Sequence, residues 1–236
     1  MDATTHWPAD ADELAALQER LAAEAPPAWT FTPGARVGGC FVAFARGEQG
    51  PGHAGDHAWA AAIVGADEAV VFDTVPAAYV PGLLALREGP ILEAAVRTLD
   101  TLPDVLLVDA TGRDHPRRAG LALHLGAALD VPTVGVTHRP LVGGGAEPAL
   151  ARGATAPIRI GDDEVARWVR TASVVRPVVA HAGWRTDATT AATVVLACSS
   201  EAARTPMPLQ QARRVAREAR WFSERTAYGA TAADRR

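Results

Sequence analysis

Two short runs carry most of the side chains able to do chemistry. The first is Tyr79-Val80-Pro81-Gly82-Leu83-Leu84-Ala85-Leu86-Arg87-Glu88, and the second is Val108-Asp109-Ala110-Thr111-Gly112-Arg113-Asp114-His115-Pro116-Arg117-Arg118. They set an aromatic, the carboxylates Glu88 and Asp109, His115, and the arginines Arg117 and Arg118 in a fixed order. Paired carboxylates supply the hard oxygen ligands that Mg2+ or Mn2+ demands. Arginine forks suit phosphate oxygens, and an aromatic on a turn suits stacking on a base. Together they are the inventory of a metal-dependent site for a phosphodiester backbone. Each residue also has a plainer use. Asp109 ends the apolar run Val105-Leu106-Leu107-Val108, where a carboxylate often caps a turn. Glu88 near a helix start satisfies the helix dipole. The arginines can pair with these acids, and Tyr79 can be an ordinary surface aromatic.

The elements that must position these residues follow from periodicity. Residues 10–23 read as an amphipathic helix, with Leu14, Leu17 and Leu21 at helical spacing, stopped by Pro26-Pro27. Residues 37–45 are an apolar run that fits a buried strand. Residues 58–64 and 69–73 read as an antiparallel pair joined at Gly65-Ala66-Asp67. Strands at 105–109 and 133–136 then alternate with helices. Residues 141–156 read as loop, 165–171 and 178–181 as strands, and 187–199 and 208–220 as helices. The order of three strands followed by alternating helices and strands predicts an α/β domain, with a mixed five-stranded sheet flanked by helices. The division expected is an N-terminal helix and linker over 1–30, a single domain over 31–225 and a disordered tail over 226–236.

Composition narrows the class. The chain has 236 residues, 48% hydrophobic and 21% charged, as in a globular protein with a full core. All its lysine-or-arginine cations are arginine, which points to a GC-rich coding sequence more than to a function. The net charge of −4 supplies no global basic field, so affinity for nucleic acid would need a local basic patch. Cys40 and Cys198 form no disulfide framework, and the expected compartment is the reducing cytoplasm. No apolar run reaches membrane length, so no membrane partner is expected. The sequence sets no oligomeric state.

The two runs resemble those of the endonuclease V family, nucleases that cut next to deaminated bases such as inosine. Further segments fall in the family's order: Gly120-Leu121-Ala122-Leu123-His124-Leu125-Gly126, Val131-Pro132-Thr133-Val134-Gly135-Val136, and residues 177–187. The likeness spans about residues 37–208. It implies a ribonuclease H-like fold, metal held by Glu88 and Asp109, and catalytic roles for Glu88, Asp109, His115 and His138. It implies that the Tyr79–Pro81 loop wedges beside the lesion in inosine-containing DNA or RNA. It also implies that backbone around Ala110, Gly112 and Gly135 receives the flipped base, with Arg117 and Arg118 on phosphate.

The departures from the family pattern lie in its chemistry. The first strand of the family reads Gly-x-Asp-x-x-Phe, and its Asp bridges the metal; here Gly39-Cys40-Phe41-Val42-Ala43-Phe44 puts Phe41 at that position. His138 stands for a Lys, Trp184 for a His, Ala110 for a Gly, and Ala78 for a Pro before the wedge. Pro206-Met207-Pro208-Leu209-Gln210 stands for Pro-x-Pro-Thr-Arg. Two carboxylates remain, enough for one weakly held Mg2+ or Mn2+. An alternative is a rebuilt transition-metal site from His115, His138 and His181 with Cys40 nearby. Three functions are therefore compatible with the sequence. One is an endonuclease V-like hydrolase of weak or lost activity. The second is a non-cleaving nucleic-acid-binding module, and the third a repurposed metalloenzyme acting on a small molecule or nucleotide.

Overall fold

The computed structural model describes residues 7–46 and 52–233. Eight strands form one mixed sheet with helices on both faces. In chain order they are α1 (Ala11–Ala23), β1 (Val37–Phe44), β2 (His57–Val64), β3 (Asp67–Thr74), α2 (Leu84–Arg97), β4 (Val105–Val108), α3 (Leu121–Leu129), β5 (Thr133–Thr137), β6 (Thr155–Ile160), β7 (Asp163–Val169), β8 (Val178–Ala182), α4 (Ala188–Ala197) and α5 (Met207–Ala233). The sheet order is β3-β2-β1-β4-β5-β8-β7-β6. Strands β1, β4 and β5 run parallel, and every other neighbour is antiparallel. The expected five-stranded sheet is the β3-β2-β1-β4-β5 half, and β8-β7-β6 extend it.

The local sequence explains most elements. Asp10 caps α1, its carboxylate accepting from the amides of Asp12 and Glu13. Asp187 caps α4 in the same way, accepting from the Thr190 amide. Strand β2 carries Ala58, Ala60, Ala61 and Ala62, all fully buried. Their small side chains let α2 approach one face of the strand and α5 the other. The loop expected over 141–156 gives way at Thr155 to the outer strand β6, where Pro157 is tolerated because at a sheet edge a missing amide costs no ladder bond. Helix α5 continues to Ala233, well past Thr226, where order was expected to end. Helix α1 is not a separate appendage. Its Leu14, Leu17 and Leu21 are buried, and the Gln18 side-chain amide donates to the Ala119 carbonyl at 2.8 Å.

Two buried histidines give this core an acid-sensitive stability. His124 in α3 is fully buried beside Trp7, ring centres 4.2 Å apart, and neither ring nitrogen has a hydrogen-bond partner among the described residues. Burial pushes it down to about 4. His181 in β8 is pushed down to about 4 by burial, against the opposing pull of Asp114. In the unfolded chain both titrate near 6.5, so between that value and about 4 the unfolded state binds protons that the folded state does not. Stability is complete above this window and is lost as pH falls through it, by about 3 kcal/mol for His124 alone. Melting temperature measured against pH should fall steeply below 6.5, and His124→Phe should flatten part of that limb. An unchanged limb in the variant would show that His124 is not its source.

Candidate active site

Strand β4 ends beside the middle of β1, with Cys40 paired to Val108. The next residues, Phe41 and Asp109, are therefore level at one edge of the sheet. Side chains alternate along a strand. Cys40 and Val42 join the core beneath α2, whereas Phe41 faces α5 with Ala212, Val215 and Ala216. Gly39 lets α5 come this close, because a Cβ there would sit 2.6 Å from the Pro208 carbonyl. Helix α2 brings Glu88 to the same edge from the opposite face. Burial, and then the charge of Asp109, push Glu88 up to about 8, against the pull of Arg87. The two acids thus feel each other.

Among the described residues no third acid joins them. Arg213 of α5 does instead: its Nη2 donates to Asp109 Oδ2 at 2.9 Å, and its guanidinium carbon lies 5.0 Å from the Phe41 ring centre. One turn along, Arg217 reaches the same ring at 5.7 Å. The sequence reading missed Arg213. Its spacing with Arg217 on an amphipathic helix was visible, but which strand that helix face met was not.

A cavity of about 220 Å3 opens beside Asp109. Tyr79, Pro81 and Gly82 form one wall, Asp109, Ala110 and Thr111 another, and His115 and Leu141 contribute to the rest. Tyr79 is 42% exposed at the mouth, and its amide donates to the Gly52 carbonyl. The Ala110 carbonyl crosses over Gly135, where a Cβ would lie 2.3 Å from it; Gly112 is pressed as closely against the Ala182 carbonyl. These glycines are required by packing, and the extra methyl of Ala110 is accommodated, 5% exposed. His115 Nε2 lies 3.2 Å from the Gly82 carbonyl, which ties the two motif runs together. Burial and the neighbouring Arg117 lower its pKa.

Asp114 is another residue the sequence reading passed over. Fully buried, its carboxylate accepts from the amides of Leu141, Val142 and Gly143 at 2.7–2.9 Å and so fixes the loop that closes the cavity. His181 lies behind it, with Nε2 2.8 Å from Thr137 Oγ1.

Several expected site residues are elsewhere. Arg117 donates to Gln18 Oε1 at 2.7 Å and leans on the Gly82 carbonyl, bracing the cavity from behind. Arg118 turns away to the Ile160 carbonyl and Asp163. Neither arginine pairs with Glu88 or Asp109, and the cations beside Asp109 come from α5. Trp184 is buried among Leu17, Leu21, Ala119 and Leu123. Its carbonyl accepts from the amide of Thr133, the first residue of β5. Because β4 and β5 run parallel with Val108 level with Gly135, Trp184 is at the opposite sheet end from Asp109. His138 is exposed just past the end of β5, within reach of the charges of Asp109 and Arg213, and lines a hollow with Arg139, Arg176 and Arg204.

The transition-metal alternative is not assembled. His181 is spoken for by Thr137, and His138 lies in the surface hollow. Burial drives the Cys40 thiol far above its usual pKa, so it stays protonated. Among the described residues no group of three or more His, Cys, Asp or Glu could hold a metal ion. The donor set does not fit a bridged Mg2+ or Mn2+ either. Of the three carboxylates the resemblance calls for, one is a phenyl ring, and another already carries a guanidinium.

Known proteins match this architecture along nearly the whole chain. The Endonuclease V family model matches residues 17–214. A relative from Roseiflexus castenholzii named Endonuclease V is 37% identical over 81% of this chain and 86% of its own. The crystal structure of Endonuclease V from Streptomyces avermitilis superposes with a TM-score of 0.78 at 36% identity, covering 93% of this chain and 96% of that one. Ciona intestinalis Endonuclease V, crystallised with a 24mer DNA containing an inosine followed by a ribo-adenosine, shares the fold at 20% identity. Its TM-score is 0.70, with 88% of this chain and 96% of that one covered. No helix among the described residues is long and apolar enough to cross a membrane. With its two motif runs meeting at one sheet edge and its whole scaffold matched, the chain belongs to the endonuclease V family.

Proposed function

We propose that the protein binds inosine-containing nucleic acid in the family's manner, while its metal-dependent cleavage is weak or lost. The observation that carries this reading is the contrast across one sheet edge. The loop with Tyr79, the cavity beside Ala110 and the brace from His115 to Gly82 are all built. The bridging-carboxylate position beside them holds Phe41, a side chain without donor atoms. A flipped base needs a pocket of suitable shape and an aromatic at its mouth; cleavage needs the ions as well. The Ciona intestinalis relative solved with inosine-containing DNA supports nucleic acid as the partner class.

The local basic patch that the net charge made necessary is present. Two adjoining hollows, of about 360 and 510 Å3, share Arg204. They place Arg139, Arg176, Arg204, Arg213 and Arg217 along one surface leading past Asp109. Such a track supports binding to a phosphate backbone.

The test pairs binding with cleavage. Fluorescence anisotropy should show tighter binding to an inosine-containing oligonucleotide than to its adenine counterpart. Cleavage of the same strand with Mg2+ or Mn2+ should be slower than that of the Streptomyces avermitilis relative by about a hundredfold or more, the usual scale for a lost transition-state contact. Turnover at the relative's rate would overturn the reading, as would indifference to inosine.

A further inference from the structure

We propose that Arg213 takes the place of the divalent ion. Its guanidinium is a permanent cation at Asp109, and it holds a backbone phosphate of the bound strand without any metal. The proposal rests on the nucleic-acid reading above and specifies its chemistry.

The geometry is built rather than incidental. Arg213 leaves α5 one residue after fully buried Ala212, and Val215 and Ala216 seat the next turn against β1 and β2. The helix is therefore fixed where Arg213 spans Phe41 and Asp109. The Phe41 ring gives the guanidinium a flat face, a favourable arrangement for a cation. Asp109 gives it one charge-assisted hydrogen bond at 2.9 Å. The two replacements are complementary. A ring with no charge would leave Asp109 without a partner, and the arginine that supplies the partner stacks on that ring.

The same guanidinium faces the hollow it lines with Arg204, Gln210, Arg214 and Arg217. The charges there do not cancel. Arg214 is balanced by Glu68 and Glu218, and Arg213 by Asp109. Arg204 donates to the backbone carbonyls of Pro177 and His138, which carry no charge. Arg217 is exposed and has no carboxylate within ion-pair distance among the described residues. Arg204, partly offset by Glu147, and Arg217 therefore flank Arg213 with net positive charge on the open side. Arginine presents five N–H groups in a planar fork, so one edge can stay on Asp109 while another meets a phosphate oxygen. A phosphodiester satisfies Arg204, Arg213 and Arg217 together. A dication at the same point would meet three like charges.

The test uses the full chain and two probes. In anisotropy titrations, an inosine-containing oligonucleotide should bind equally well with EDTA or with Mg2+. Arg213→Gln should weaken binding about tenfold and reduce the slope of log K against log salt by about 1, as expected for one lost phosphate contact. Arg213→Lys should recover part of both. A plain oligonucleotide run alongside separates the two readings, because it should show the same loss and the same slope change even if inosine adds nothing. The second probe is Mn2+ alone, followed by its paramagnetic resonance signal. The wild type should leave Mn2+ free, and Phe41→Asp with Arg213→Gln should bind it. Nucleic-acid affinity that rises tenfold on adding Mg2+, or Mn2+ bound by the wild type, would overturn the assignment. So would an Arg213→Gln variant that keeps wild-type affinity and salt slope.

Discussion

Phe41→Asp alone should leave cleavage of an inosine-containing strand at the background of the wild type, whereas Phe41→Asp combined with Arg213→Ala should raise it by about two orders of magnitude. The single substitution puts a carboxylate on the α5 face of β1, directly beneath Arg213. That guanidinium already holds Asp109 at 2.9 Å and would bridge both acids. The new charge would be neutralised within the protein, and burying it without such a partner would be costly. Removing Arg213 as well frees two carboxylates beside Glu88 and restores a three-acid set. Initial rates with Mn2+ for the wild type, both single variants and the double variant decide the matter. A single Phe41→Asp variant as active as the double would show that Arg213 yields readily and does not obstruct the site.

Trp184→Ala should cost about 3–5 kcal/mol of folding stability, a large part of the total of a marginally stable domain. The indole is buried between α1 and α3. Gly126 lets α3 approach it closely, since a Cβ there would sit 2.5 Å from the Trp184 Cβ. Losing the ring leaves a cavity where Leu17 and Leu21 of α1 meet Leu123 of α3. Affinity for an inosine-containing oligonucleotide should be unchanged below the melting transition, because Trp184 lies at the far end of the sheet from Asp109. Urea unfolding gives the first quantity and anisotropy the second. Weakened binding with unaltered stability would return Trp184 to the site. Trp184→His, which restores the family's residue type, should be destabilising for the same reason and should restore no activity.

Much of the fold was determined by the sequence itself. Strand β1 was legible as an unbroken apolar run, α1 as leucines at helical spacing, and the β2–β3 hairpin as two strand runs joined at Gly65-Ala66-Asp67. These patterns are local: burial on one or two faces dictates which residue types recur, and the period of recurrence dictates the element. The run Val105–Val108 likewise placed Asp109 at the end of a central strand, because a residue that ends a central parallel strand has no other place to be. The edge strand β6 escaped notice because the Gly- and Ala-rich run leading into it carries no strand pattern, and only its position at the sheet margin makes Pro157 tolerable.

What the tertiary structure alone decided was which side chains meet. Arg117 and Arg118 look like the phosphate ligands in the sequence, being two and three residues from His115, yet one braces Gln18 and the other pairs with Asp163. Arg213 stands 104 residues from Asp109 and carries no motif, yet it is the cation at the site. Trp184 looks like a lost active-site residue and is part of the core. Sequence spacing fixes direction along one element only. A contact between elements depends on the angle and height at which α5 crosses β1, set by Gly39, Ala212 and Ala216 at their interface. No periodicity in either segment encodes that distance.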